Sequence, residues 1–372
     1  MNASNCARPD AAPWVFKLGS ALLASPDGVN RSAIALWCAQ IAAALAARER
    51  VVVVSSGAVA AGAVRLGLPA RLGAMRLHQA AAAVGQLEVM NAYADALAEH
   101  ERAAAMVLLT HADISNRARY LNARDTLTSL LDMGVVPIIN ENDSVATEEI
   151  RFGDNDRLAA LVTNLLGARQ LVLLTDQAGL HERDPRVEPD APLVREARVD
   201  DPRLVAMAGG AGERGRGGMA SKVDAARLAA RSGVDTVIAC GAEPDVITRL
   251  IAGEAIGTRL TSNERALDAR KRWILGQQHS KGRLILDAGA VAALRERGVS
   301  LLPVGVTAVS GEFERGDLVQ CLDPAGVAVA QGLSNFNSRQ AAALCGRRDS
   351  ASVLGYPASP ELLHRDNLVV FD

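Results

Sequence analysis

Val51-Val52-Val53-Val54 is four β-branched residues in succession, apolar at every position and not at every second one. A strand with that pattern has no face to give to water and must be covered on both sides. Its neighbours along the chain agree. Trp14-Val15-Phe16-Lys17-Leu18, Ala103–Leu109, Val135–Ile139, Gln170–Leu174 and Val234–Ala239 are short, mainly apolar runs suited to buried strands. Between them lie Ala- and Leu-rich stretches with helical spacing: Val29–Ala47 with Asp27 or Asn30 as cap, His78–Ala98, Arg119–Asp132, Asp156–Leu166 and Gly218–Ser232. Strands alternating with helices predict an α/β fold, a three-layer αβα sandwich with a mainly parallel central sheet. In open sheets of this class, ligands bind beyond the carboxyl ends of the strands.

The polar clusters fall at such ends. The run from Pro137 to Ala160 holds Asn140-Glu141-Asn142-Asp143 after one strand, and Gly153-Asp154-Asn155-Asp156 at the start of a helix. Carboxylates and amide oxygens grouped this way suit a ligand that carries an ammonium group. A solvated loop with Asp154 as helix cap would also account for them. Lys17-Leu18-Gly19-Ser20 puts a lysine at a strand end beside a glycine that admits a ligand close to the backbone, although a solvated edge lysine fits the same pattern. Gly209–Gly218 contains six glycines in ten residues and runs straight into Met219-Ala220-Ser221-Lys222. A glycine-rich loop feeding a helix N-terminus offers backbone N–H groups and a positive dipole end to an anion, whereas a flexible linker would need no helix behind it. The spacing matches neither a Walker A loop nor a dinucleotide fingerprint. Thr175-Asp176, at another strand exit, suits a nucleotide pocket, with Asp184-Pro185-Arg186 following.

Composition narrows the class. At 372 residues the expectation is two domains, with 49% hydrophobic and 22% charged residues as in globular enzymes. A formal net charge of -2 gives no general attraction to nucleic acid or membrane, and 3% aromatics leave few stacking platforms for bases. Cys6, Cys38, Cys240, Cys321 and Cys345 are scattered without a C-x-x-C pair, and the six histidines show no ligand spacing, which points to reduced thiols in a cytoplasm and to no metal bound by the protein itself. No run approaches the ~18 apolar residues of a membrane span. Residues 1–12 lack a signal core and read as a disordered lead. After Leu260 the texture changes. Residues 262–278 read as a linker, and 279–372 as a small, mostly β domain with Leu301-Leu302, Leu318–Leu322 and Val327–Ala330 as strands and one or two helices.

Together, Lys17-Leu18-Gly19-Ser20, Ser55-Ser56-Gly57-Ala58, Leu121–Thr126, Pro137–Asp143, Gly153–Asp156, Leu174-Thr175-Asp176, Asp184-Pro185-Arg186 and Gly217–Lys222 resemble the glutamate 5-kinase family of amino-acid kinases. The part from Lys271-Arg272-Trp273-Ile274 onward, with Leu301–Gly305 and Phe313–Asp317, resembles the PUA domain appended to many of them. The match runs from residue 13 to 366; Arg216 departs from it, standing where relatives often carry a small hydroxylated residue. The resemblance implies the amino-acid kinase fold over 13–261 and phosphorylation of the γ-carboxylate of L-glutamate by ATP with Mg²⁺ carried on the nucleotide, the first step of proline biosynthesis. It implies Lys17, Lys222 and Asp156 as catalytic, the carboxylate orienting the two lysines. Ser56, Asp143 and Asn155, with Asp154 and Asn140 nearby, would bind glutamate. Lys17, Thr175, Asp176, Arg216, Gly217, Gly218, Met219, Ala220, Ser221 and Lys222 would bind ATP. It further implies proline as feedback inhibitor and a homo-oligomer, dimer or tetramer. Two other readings fit the sequence. One is a kinase of the same fold acting on N-acetylglutamate, aspartate, carbamate or a nucleoside monophosphate. The other is an RNA-binding PUA protein, against which stand nine Lys/Arg and ten Asp/Glu in 279–372.

Overall fold

The computed structural model describes residues 12–25, 28–69, 72–110, 113–114, 117–145, 155–209, 218–262, 280–347, 349–356 and 358–371. Asp154, Arg216 and Gly217, together with the expected lead (except residue 12) and nearly all of the expected linker, lie outside the described residues. The chain divides into two compact units, Met1–Ser115 with Asn122–Arg265, and Asn116–Leu121 with Ala266–Asp372.

In the first unit the strands are β1 (Trp14–Leu18), β2 (Ala24–Ser25), β3 (Gly28–Val29), β4 (Val51–Val54), β5 (Ala104–Leu109), β6 (Val136–Glu141), β7 (Gln170–Thr175), β8 (Glu196–Arg198), β9 (Thr236–Cys240) and β10 (Thr258–Thr261). The helices are α1 (Ser20–Leu23), α2 (Arg31–Ala46), α3 (Ala58–Arg65), α4 (Met75–Ala98), α5 (Arg117–Asp132, in this unit from Asn122 onward), α6 (Asn155–Leu166), α7 (Arg203–Met207), α8 (Met219–Ala230) and α9 (Val246–Ile251). Eight strands form one sheet in the order β5-β6-β4-β1-β7-β9-β10-β8. The six from β5 to β9 run parallel, and β10 turns antiparallel to β9. All four valines of β4 are fully buried, as a strand covered on both faces requires. The side chain of Asn30 caps α2 by accepting from the Ala33 amide.

Two elements differ usefully from their expected bounds. Strand β6 continues two residues past Ile139, so Asn140 and Glu141 are strand residues, 2% and 5% exposed, and not part of a solvated loop. Their amide and carboxylate resemble turn chemistry, but pairing with Leu108 and Leu109 of β5 holds them in the ladder. Helix α4 starts a turn before His78, at Met75. It packs on α3 as closely as two backbones allow. A Cβ on Gly62 would lie 1.8 Å from the Ala81 carbonyl oxygen, and one on Gly85 1.8 Å from that of Ala58. We expect Gly62→Ala to force the helices apart and cost about 1–3 kcal/mol or more, read as a lowered melting temperature; an unchanged melt would contradict this packing.

The second unit has a five-stranded sheet, in the order β12-β11-β13-β14-β15, from β11 (Gly282–Leu286), β12 (Val306–Ser310), β13 (Leu318–Leu322), β14 (Ala328–Leu333) and β15 (Leu368–Val370). Leu284, Leu286, Val319, Phe336 and Leu363 are among its buried core. Among its described residues three short α-helices accompany it, α10 (Ala288–Arg297), α11 (Ser338–Leu344) and α12 (Ser350–Leu354), one more than the sequence suggested. Leu301-Leu302 is not a strand; Leu301 makes an isolated bridge to Leu363.

Candidate active site

Four parallel strands end at one edge of the sheet, and each delivers a polar group there. Strand β1 brings Lys17, β4 runs out into Ser55 and Ser56, β6 ends in Asn140 and Glu141, and β7 ends in Thr175. Helices α6 and α8 add Asn155 and Lys222 from above that edge. These residues, Ser55 excepted, line one cavity of about 570 Å³ together with Asp143 and Asp176. Gly57, in the left-handed region at φ +89°, makes the turn from β4 into α3, whose Val59, Ala60, Ala63 and Val64 form an apolar wall.

Beneath the cavity lies Asp156, fully buried in the first turn of α6. Lys17 Nζ approaches its Oδ1 at 2.5 Å, and Lys222 Nζ donates to its Oδ2 at 3.0 Å. Both lysines are themselves buried. Burial alone would push the Asp156 carboxyl up, but the ammonium groups of Lys17 and Lys222 outweigh it and hold its pKa below the ordinary carboxylate range. A carboxylate so engaged is no general base and is not offered to a ligand. Its effect is to fix two flexible cationic side chains, from positions 205 residues apart in sequence (222 minus 17), on one point. Ser221 Oγ also donates to Asp156 Oδ2 at 2.9 Å, tying the first turn of α8 to the same carboxylate.

A second network orders the amides. Asn155 Nδ2 reaches the Ser55 carbonyl oxygen at 2.6 Å, Asn140 Oδ1 at 2.8 Å and Ser56 Oγ at 3.0 Å. The Ser55 carbonyl can only accept, so the nitrogen end of the Asn155 carboxamide must face it. Its oxygen end is thereby turned away from the cluster, an acceptor suited to an ammonium donor. Thr175 Oγ1 donates to Asp176 Oδ1 at 2.9 Å at the neighbouring strand exit.

Of the residues singled out in the sequence, Lys17, Ser56, Asn140, Asp143, Asn155, Thr175, Asp176 and Lys222 share the cavity. Gly218, Met219, Ala220 and Ser221 form the start of α8 without lining it. Gly218 caps α8 with no side-chain hydrogen bond, so no side-chain cap covers that N-terminus. This end of the helix, the two lysines and the close backbone approach at Gly19 fit the phosphates of a nucleotide. Among the described residues there is no group of three or more His, Cys, Asp or Glu side chains that could hold a metal ion. Sequence reasoning missed Gln86 of α4, which accepts from Asn140, and named Glu141 only as a member of the polar cluster 140–143; it lines the cavity. The signal for Gln86 was there: it occupies the buried face of α4 with Ala82, Gly85, Val89 and Tyr93, an amide at a core position.

Comparison with known proteins agrees with this architecture. The model of the amino acid kinase family matches residues 13–240, and that of the PUA domain residues 282–353. The glutamate 5-kinase of Chromohalobacter salexigens is 55% identical over 372 residues, covering 99% of this chain and 98% of its own. That of Thioalkalivibrio sulfidiphilus is 54% identical over 97% of each chain. Among solved structures, the carbamate kinase of Giardia lamblia bound to AMP-PNP aligns at a TM-score of 0.51 and 18% identity, over 69% of this chain and 100% of that one, a likeness of fold alone. On the family model over most of its first unit, and on relatives matched end to end at more than half identity, the chain belongs to the amino acid kinase family, in its glutamate 5-kinase branch.

Proposed function

We propose that the chain transfers the γ-phosphoryl group of ATP to the γ-carboxylate of L-glutamate, giving ADP and L-glutamyl 5-phosphate, the first step of proline biosynthesis. One observation carries the reading: two buried ammonium groups share one carboxylate at the edge of a cavity that also holds Ser56, Asn140, Asp143 and Asn155. A carboxylate oxygen is already a competent nucleophile, so the reaction calls for no general base. It attacks the γ-phosphorus, the bond to the bridging β–γ oxygen breaks, and ADP leaves with that oxygen. Catalysis is then positioning plus neutralisation of charge on the moving group. Lys17 and Lys222 supply that neutralisation, and Asp156 holds them in place. Mg²⁺ bound to the triphosphate supplies further charge neutralisation there.

In this reading Asp143 and the oxygen of Asn155 take the substrate ammonium, and Ser56 and Asn140 complete the acceptor site with Asp154. Thr175, Asp176 and the 216–222 segment, Arg216 and Gly217 included, hold the nucleotide. We assign the kinase domain to 13–261, the linker to 262–278 and the PUA domain to 279–372, with the whole working in the cytoplasm as a homo-oligomer. Replacing Asp143 by Ala is expected to raise the glutamate KM roughly 10- to 100-fold while kcat changes little, because a charge-assisted hydrogen bond is lost to ground state and transition state alike. N-acetylglutamate, with no ammonium to pair with Asp143, should be a poor substrate for the same reason. A steady-state comparison of the two acceptors, repeated with added proline to test feedback, checks the assignment; equal use of both acceptors would overturn it.

A further inference from the structure

The amide that orders the acceptor site is itself held from outside that site, by Gln86. Strand β6 fixes one end of the arrangement. The Glu141 backbone N–H donates to Asn140 Oδ1 at 2.9 Å, and because an N–H only donates, the oxygen end of the Asn140 carboxamide must lie on that side. The nitrogen end then points toward α4, where Nδ2 donates to Gln86 Oε1 at 2.7 Å in a buried setting. Gln86 completes the sequence by turning its own Nε2 to Met106 Sδ at 3.3 Å. Three carboxamides thus have their orientations set in series, from the Glu141 amide and the Ser55 carbonyl outward.

Gln86 does not line the cavity, so it touches neither substrate nor nucleotide there. Its depth is set by the close approach of α4 to α3, where Gly85 leaves no room for a side chain against Ala58. We propose that Gln86 is a positioning residue for the acceptor: its Oε1 holds Asn140 so that Asn140 Oδ1, and through it Asn155, keeps the orientation that receives the amino acid. This rests on the reading that the pocket of Asn140 and Asn155 binds glutamate. Without the Gln86 acceptor, the buried Nδ2 of Asn140 is left unsatisfied and must shift or draw in water, and that movement displaces Oδ1, the acceptor that seats Asn155 Nδ2 and so aims the Asn155 oxygen.

The test is a double-mutant cycle on steady-state kinetics, with Gln86→Met, Asn140→Ala and both together, each checked by thermal melt. Gln86→Met is close in volume but supplies only a weak thioether acceptor. The expected result is a rise in glutamate KM of roughly tenfold with the ATP KM unchanged, and less than about twofold further change when Gln86→Met is placed in the Asn140→Ala background. If Gln86→Met does not fold, Gln86→Asn, which draws the acceptor back by one methylene, carries the same expectation. A glutamate KM unchanged by either variant overturns the inference, as does an equal effect with and without Asn140, since a purely structural glutamine would act independently of it. Wild type that is active on glutamate while Gln86→Met is silent removes this inference alone. Wild type inactive on glutamate removes the reading beneath it as well.

Discussion

Replacing Lys222 by alanine should lower kcat by about 10²–10³ while the glutamate KM moves by less than about threefold. The asymmetry follows from where the charge is needed. Lys222 Nζ sits buried on Asp156 at the wall of the cavity. Charge that spreads over the phosphoryl oxygens in the transition state would meet that ammonium in a site of low dielectric, where a fixed cation is worth far more than in water. A ground-state amino acid held by Asp143 and the two asparagines would not notice its loss. Steady-state kinetics with each substrate varied in turn decides the matter. A glutamate KM that rises as much as kcat falls would place Lys222 in the acceptor site instead.

Asp156→Asn should be costly twice over. Stability should fall by about 3–5 kcal/mol, the range for removing one partner from a buried ion pair, because two buried ammonium groups lose their shared counter-charge. Activity should fall as well, since Lys17 and Lys222 would repel each other off their common point. The pH dependence separates this cause from general damage. The folded-state pKa of Asp156 lies below its ordinary value of 3.8, so its contribution is fully present above that unfolded value and is lost as pH falls through the lower folded one. Melting temperatures of wild type and Asp156→Asn should therefore differ by a constant amount at neutral pH and begin to converge only below about pH 4. Convergence already between pH 5 and 7 would mean that another group carries the difference.

The fold was legible because burial leaves a signature in the sequence. An unbroken run such as Val51–Val54 admits few alternatives to a parallel strand between helix layers, and the strand–helix alternation supplied the rest. Lys17 beside Gly19 and Lys222 behind the glycine-rich loop were visible as candidates for an anion, but a lysine at a strand end and a lysine in a helix also look like solvated surface until the fold brings both onto Asp156. What escaped was tertiary. Asn140 and Glu141 look like turn residues, and only pairing with β5 shows that they finish a buried strand. Gln86 lies 54 residues from Asn140, and its local sequence of alanines and a glycine describes helix packing, not substrate recognition. In the second unit, Leu301-Leu302 has strand-like residues but finds one bridge partner and no ladder, a limit that local propensity does not register.

In the proposed reaction two lysines stabilise phosphoryl transfer to a carboxylate, and the product is an acyl phosphate, which hydroxylamine converts to a hydroxamate. Wild-type protein incubated with ATP, Mg²⁺, L-glutamate and hydroxylamine should yield γ-glutamyl hydroxamate in proportion to ADP, and Lys222→Ala should yield about a hundredth as much or less. ADP released without hydroxamate, or hydroxamate formed at the wild-type rate by Lys222→Ala, would contradict it.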